Sequence, residues 1–322
     1  LTATRASGNL AAMIATSKGG THTSQHYPRV LAAVLNWCAE EDSASCVMSL
    51  VHSDYAVLDI LIIDNASPDG SGARLHQRFP DQHFLQTGAN LGYAGGNAKA
   101  SEWALERGYD YLLIINDDAE VAVSCVSLLV RALQENPTAA IASPTVLFFG
   151  TDRIWFGGGS FKAFKAMGVH HHQGESAQHV FGARGPGDPS ATPVTFLSGC
   201  VMLFDCAAVR KYGSFRAEFF AYVEDLEISV RYARAGLQLL YVPAALASHK
   251  VPYPSPPDSA FGIRQRDTNR RRLIALHYQL PMKLVALAWF YPTRMMYLAR
   301  FALARDWPRA RAILDGMFGR IR

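Results

Sequence analysis

Short apolar runs that stop abruptly at polar residues recur through the first 120 positions. Residues 30–35 read Val-Leu-Ala-Ala-Val-Leu and end at Asn36-Trp37. Residues 58–63 end at Asp64-Asn65, and 111–115 end at Asn116-Asp117-Asp118. Runs this short, without alternation, predict strands buried on both faces, as in a parallel sheet. A shorter strand is expected at 84–86. Helices are expected between the strands: over 41–51, where Cys46, Val47 and Leu50 recur at helical spacing, after the polar turn 64–70, and over 98–107. This β-α-β series predicts an α/β fold with a mostly parallel sheet. The polar strand ends then gather at one edge, where open α/β sheets bind ligands.

Further along, the pattern predicts a helix over 124–134, which Pro137 helps to close, and a strand over 139–146. The stretch 148–193 holds Gly157-Gly158-Gly159, three consecutive histidines (His170, His171, His172) and Gly185-Pro186-Gly187. It reads as a β-rich excursion with a loop over the sheet edge. The histidines are open between a metal site and a solvated loop, since neighbours on an extended chain point to opposite sides. Another strand is expected over 194–204, carrying Ser198-Gly199-Cys200. Val223, Leu226, Val230, Ala233 and Leu237 recur at helical spacing, and Gly236 suits the C-terminal cap. Glu224 and Asp225 fall in the first turn of that helix. Two strand pieces flank Pro243 and end at His249-Lys250. Four prolines make 251–258 a loop, and five arginines follow between 264 and 272. The apolar run 284–291 is expected to break at Pro292.

Clustered carboxylates at a strand end are costly unless compensated, and a divalent cation compensates them well. Mg²⁺ takes one or two protein carboxylates and fills its shell with substrate phosphates. Asp118, with Asn116 or Asp117 beside it, is therefore a candidate metal site; a strand end capped to begin a turn is the alternative. Asp64 is placed to accept hydrogen bonds from a base or ribose, or else to cap its own turn. The glycines of Asn90-Leu91-Gly92-Tyr93-Ala94-Gly95-Gly96-Asn97 precede a helix and would let backbone approach an anion. Asp225 at a helix N-terminus stays ionised, as a general base must, although acids in a first turn also simply complement the helix dipole. Arginine forks suit diphosphate oxygens, or form a solvated face.

Charge is uneven. Between 283 and 322 there are eight basic and two acidic residues, whereas the whole chain carries +4. A basic tail points to an anionic surface, membrane or nucleic acid. Apolar residues mixed with these arginines suit a helix in a membrane interface, with packing against the rest of the protein as the alternative. No run approaches the length of a membrane span, and no signal peptide is expected. Five cysteines without metal-type spacing suggest a reducing compartment.

Taken together, these residues make the chain resemble the inverting family 2 glycosyltransferases of the GT-A fold, especially the rhamnosyltransferase-like branch. The resemblance rests on Leu-Asn-Trp at 35–37, Asp-Asn-Ala-Ser at 64–67, the glycine-containing run 90–97, Asn-Asp-Asp at 116–118, Ser-Gly at 198–199, Glu-Asp at 224–225, and Tyr-Val-Pro with a later His at 241–249. It implies a Rossmann-like catalytic domain over 29–281, with a nucleotide-binding half (29–120) and an acceptor-binding half (121–281). An extension (1–28) precedes it and a basic amphipathic helical tail (282–322) follows. It implies transfer of a sugar from a UDP- or dTDP-sugar, dTDP-rhamnose included, to a glycan or lipid-linked acceptor, with Mg²⁺ or Mn²⁺. Asp225 would be the base, supported by Glu224. Asp118 would hold the metal with Asn116 and His249; Asn116 stands where the family motif has its first aspartate. Asn36, Asp64, Asn65, Asn90, Gly92, Gly95, Gly96, Asn97, Asp117 and Arg270 would line the nucleotide-sugar pocket. The implied place is the cytoplasm, peripheral on the inner face of the cell membrane, without nucleic acid; a homo-oligomer is left open. The readings from other classes are a nucleotidyltransferase, whose basic glycine-rich signature is missing at Asn36-Trp37-Cys38, and a non-catalytic sugar- or lipid-binding module.

Overall fold

The computed structural model describes residues 27–182 and 190–320. The extension up to residue 26 and the sequence Gly185-Pro186-Gly187 lie outside the described residues. The first 120 positions form β1 (Val30–Asn36), α1 (Glu40–Val51), β2 (Leu58–Asp64), α2 (Ser71–Arg78), β3 (His83–Gln86), α3 (Gly92–Glu106) and β4 (Tyr111–Asn116). The four strands are parallel in the order β3-β2-β1-β4. All seven residues of β1 are buried, as an unalternating apolar run requires. Register aligns Asn36 with Asp64, Asp64 with Gln86, and Leu35 with Asn116, so the polar tips share one edge.

The chain continues through β5 (Ala119–Val121), α4 (Cys125–Glu135), β6 (Ala139–Phe148), β7 (Ile154–Phe156), β8 (Gly159–Lys162), β9 (Met167–His170), α5 (Ala177–Phe181), β10 (Thr192–Val194), β11 (Val201–Asp205), α6 (Cys206–Tyr212), α7 (Glu224–Arg234) and β12 (Gln238–His249). β11 runs antiparallel between β4 and β6, and β12 lies parallel to β6. β5 pairs with the far end of β12, setting Ala119 opposite His249. The Lys250 N–H closes this pairing on Asp118 O at 2.8 Å. Asp118 and His249 are thus brought side by side by the backbone of their neighbours. β8 and β9 form a separate hairpin.

Three helices complete the chain: α8 (Ala260–His277), α9 (Met282–Leu303) and α10 (Trp307–Phe318). Ile263, Phe290, Ala312, Ile313 and Met317 make a small second core between them. Arg271 Nη1 bonds the Gly316 and Gly319 carbonyls at 3.2 and 2.8 Å. The tail is therefore packed onto α8.

Four local expectations are corrected. The glycine-containing run is no loop, because α3 begins at Gly92 and carries Gly95, Gly96 and Asn97 within it. The run 194–204 splits into β10 and β11, with Ser198 and Gly199 in the turn between. β12 passes through Pro243 because a register shift between Val242 and Leu246 absorbs the proline. α9 likewise passes through Pro292, while Thr293 Oγ1 donates to Trp289 O and Phe290 O, both at 2.9 Å.

Candidate active site

A cavity of about 570 Å³ opens at the polar edge of the sheet, and Asn116, Gly199, Glu224, Asp225, His249 and Arg270 are among its lining residues. Asp118 reaches it through His249, whose Nε2 lies 3.0 Å from Asp118 Oδ1. Asp225 and the sheet edge at Asn116 and His249 therefore share one crevice, with Asp118 behind His249.

At the sheet edge, Asn116 Oδ1 is buried without a partner, Asp118 Oδ1 is buried against His249 Nε2, and His249 Nδ1 has no partner. Burial pushes the Asp118 carboxyl up, but the bond and charge of His249 outweigh it and hold the group below its ordinary value. Burial works against a charged His249, yet Cys200 and Asp118 reverse this and push it up to about 10. That proton balances charge where a divalent cation would, with His249 then a neutral ligand. Asp117 is pushed up to about 7 by burial and by Asp118. Among the described residues no three His, Cys, Asp or Glu converge to hold a metal. The donors present fit a partial shell of carboxylate, amide oxygen and imidazole, which phosphate oxygens would complete.

The opposite carboxylates begin α7. Three residues before them have left-handed φ: Phe220 (57°), Tyr222 (68°) and Val223 (73°). A β-branched residue there is strained and persists only when its surroundings hold it. Asn269, buried in α8, supplies the hold. Its Nδ2 donates to Phe219 O (2.6 Å), Ala221 O (3.0 Å) and Tyr222 O (2.8 Å). The Ala94 N–H adds a bond to Phe220 O at 2.9 Å. Asp225 Oδ2 accepts from the Gly199 N–H at 3.1 Å, and Gly199 O accepts from Tyr93 Oη at 2.6 Å. Burial raises Asp225, while the Gly199 and Leu226 N–H groups restrain the rise. Burial and then Asp225 lift Glu224 well above its ordinary value, and its Oε2 is buried without a partner. Burial thus raises both carboxyls, and of the two only Asp225 accepts from N–H groups of other residues, which favour its charged form.

The expected nucleotide contacts divide differently. Asp64 is 2% exposed. Its oxygens accept from Asn36 Nδ2 (3.0 Å), Ser67 Oγ (2.5 Å) and the Ser67 N–H (3.3 Å). A Cβ on Gly72 would lie 2.1 Å from Asp64 Cγ. Asp64 and Asn36 therefore build the turn rather than face outward. Asn65 latches that turn to the start of α3: its Nδ2 reaches Asn90 Oδ1 (3.1 Å) and Gly92 O (3.2 Å), and its Oδ1 accepts from the Leu91 N–H (3.0 Å). The glycines approach protein. A Cβ on Gly96 would lie 2.5 Å from Leu35 Cδ1, and one on Gly92 2.5 Å from Phe220 O. Asn97 is wholly buried and bonds Tyr93 O at 3.1 Å. Arg270 lines the cavity.

Residues not singled out in the sequence complete the walls. Trp155 sets its ring 4.5 Å from that of His249 and 4.8 Å from that of His170. Of the three histidines only His170 lines the cavity, its Nδ1 3.0 Å from Trp155 O; His172 pairs with Glu175. Trp155 lies in Ile-Trp-Phe, which reads as core, so only its placement beside β12 marks it.

The sequence model described as glycosyl transferase family group 2 matches residues 111–314. The chain belongs to that family. This family 2 chain is 28% identical over 209 residues to a Mycobacterium tuberculosis protein named N-acetylglucosaminyl-diphospho-decaprenol L-rhamnosyltransferase. The match covers 60% of this chain and spans 66% of that relative's length. A Haloferax volcanii low-salt glycan biosynthesis hexosyltransferase is 22% identical, over 68% of this chain and 66% of its own. Among solved structures, a Pyrobaculum calidifontis mannosyltransferase in complex with GDP-Man and Mn²⁺ superposes with TM-score 0.55 at 17% identity, over 91% of this chain and 86% of its own. GalNAc-T7 with UDP, GalNAc and Mn²⁺ gives 0.56 at 14% identity, over 69% of this chain and 43% of its own. The fold is the GT-A type, as the sequence implied.

Proposed function

We propose that this family 2 chain transfers a sugar, with inversion, from a UDP- or dTDP-sugar such as dTDP-rhamnose to a lipid-linked glycan. The observation that carries the reading is one cavity lined by both Asp225 and the Asn116–His249 edge, with Asp118 behind His249. Asp225 accepts the proton of the acceptor hydroxyl as its oxygen bonds to the anomeric carbon. The carbon–oxygen bond to the diphosphate breaks on the other face. Asn116, Asp118 and His249 would hold Mg²⁺ or Mn²⁺, which offsets the charge growing on the leaving diphosphate. Glu224 stays protonated beside the base and keeps its negative charge from doubling. The raised pKa of Asp225 makes it a stronger base than an ordinary aspartate.

The acceptor class is supported by the rhamnosyltransferase relative, whose name specifies a diphospho-decaprenol acceptor. An apolar, basic tail surface supports work at the inner face of a membrane. The test is Asp225→Asn. It should lower transfer by about a thousandfold or more, while nucleotide binding in Mn²⁺ stays near normal. Near-normal turnover would remove the base assignment. Asp118→Ala should abolish the Mn²⁺ dependence of nucleotide binding, measured by calorimetry with and without chelator.

A further inference from the structure

Two arginines one turn apart on α8, Arg266 and Arg270, line the cavity from an element separate from the Asn116–Asp118–His249 edge. Arg270 is 4% exposed. Its Nη2 donates to Lys165 O at 2.6 Å, its Nη1 lies 3.5 Å from Asp267 Oδ1, and its Nε has no partner. Asp267 also pairs with Arg294, at 3.1 Å. One buried carboxylate thus serves two guanidinium groups. A buried guanidinium that shares its carboxylate and keeps an unpaired N–H at the cavity favours an anionic ligand. Arg266 stands over the Tyr222 ring at 5.0 Å and pairs with Asp258, an exposed partner that a ligand can displace.

This basic wall adjoins an apolar one. The Arg270 guanidinium lies 4.9 Å from the Phe290 ring of α9. Lys165 Nζ lies 5.4 Å from the Phe164 ring and 5.3 Å from the Trp289 ring. Leu284, Val285 and Trp289 of α9 are exposed. Anion-binding forks inside the cavity, followed by exposed apolar helix, match an amphiphile whose head is phosphate and whose body is hydrocarbon. A nucleotide sugar has no such body.

The geometry points to a second anion subsite, formed by Arg266 and Arg270, that takes the phosphate or diphosphate of a lipid-linked acceptor while its chain runs over Phe164 and Trp289. The inference rests on the transfer reading above. It is tested by titrating the full chain with farnesyl diphosphate, farnesol, inorganic pyrophosphate and, separately, UDP with Mn²⁺. Farnesyl diphosphate should bind more tightly than farnesol or pyrophosphate. Arg266→Gln and Arg270→Gln should weaken it by about tenfold or more and leave UDP within about twofold. Equal losses for both ligands would assign the arginines to the donor and overturn the subsite. Unchanged farnesyl diphosphate binding, or equal binding of farnesol, would overturn it too. Arg266 is partly exposed, so its variant decides the matter should Arg270→Gln fail to fold. Failure of wild-type protein to bind UDP with Mn²⁺ would count against the transfer reading instead.

Discussion

The single amide of Asn269 spans three carbonyls of the left-handed stretch that delivers Asp225. Asn269→Asp keeps the shape but turns a donor into an acceptor facing those carbonyls. We expect kcat to fall by about tenfold to a hundredfold, with little change in KM for the donor nucleotide and a displaced acid limb in the pH profile. A merely destabilised protein would lose activity without moving that limb. In the wild type the base must be ionised, and burial holds Asp225 above its ordinary value of 3.8. The rate should therefore decline as pH falls through a pKa above 3.8, read from kcat/KM against pH. Asp118 was legible in the sequence because it follows an apolar run that ends abruptly, and Asp225 because the helical spacing after it sets it in a first turn. Asn269, Tyr93 and Trp155 were not, since each matters only through a partner that the fold brings from dozens of positions away. Asp64 was legible as a turn residue, but nothing local shows that Gly72 and Ser67 close over its carboxylate.

At the level of elements, α3 starts so close to the stretch before α7 that Gly92, with φ of 71°, has no room for a side chain: a Cβ would lie 2.5 Å from Phe220 O. Gly92→Ala should cost about 1–3 kcal/mol in urea unfolding, with little change in m-value, because overpacking and backbone strain act on the native state. Retained stability would mean that the start of the helix can shift freely. The glycines were misread for a physical reason: a backbone bared for a phosphate and one bared for a leucine look alike in sequence. Prolines misled in the same way. Pro243 and Pro292 carry the usual cost of a missing N–H, but a register shift in β12 absorbs the first and α9 continues through the second. The strands of the first half were the most readable elements, since burial on both faces leaves little choice of residue.

For the molecule as a whole, the C-terminal helices turn Phe290, Ile313 and Met317 inward and leave Leu284 (61%) and Leu303 (86%) exposed among basic residues. No helix among the described residues is long and apolar enough to cross a membrane. The exposed apolar side chains among basic ones are what make surface binding worth testing. Leu284→Asp with Leu303→Asp should reduce sedimentation with phosphatidylglycerol vesicles several-fold, about as much as raising salt does, and leave the melting temperature near its original value. Unaltered sedimentation would count against the surface. Point changes are the right probe, because deleting the tail would also strip the small core from α8. A different consequence follows from the place of β11. It enters the sheet late in the chain yet sits between β4 and β6. A gene cut after residue 120 would give a first polypeptide with the flank of β4 bare, a ready template for aggregation. The parts before and after residue 120 cannot be exchanged like cartridges; any recombination that preserves folding has to carry that inserted strand along with its neighbours.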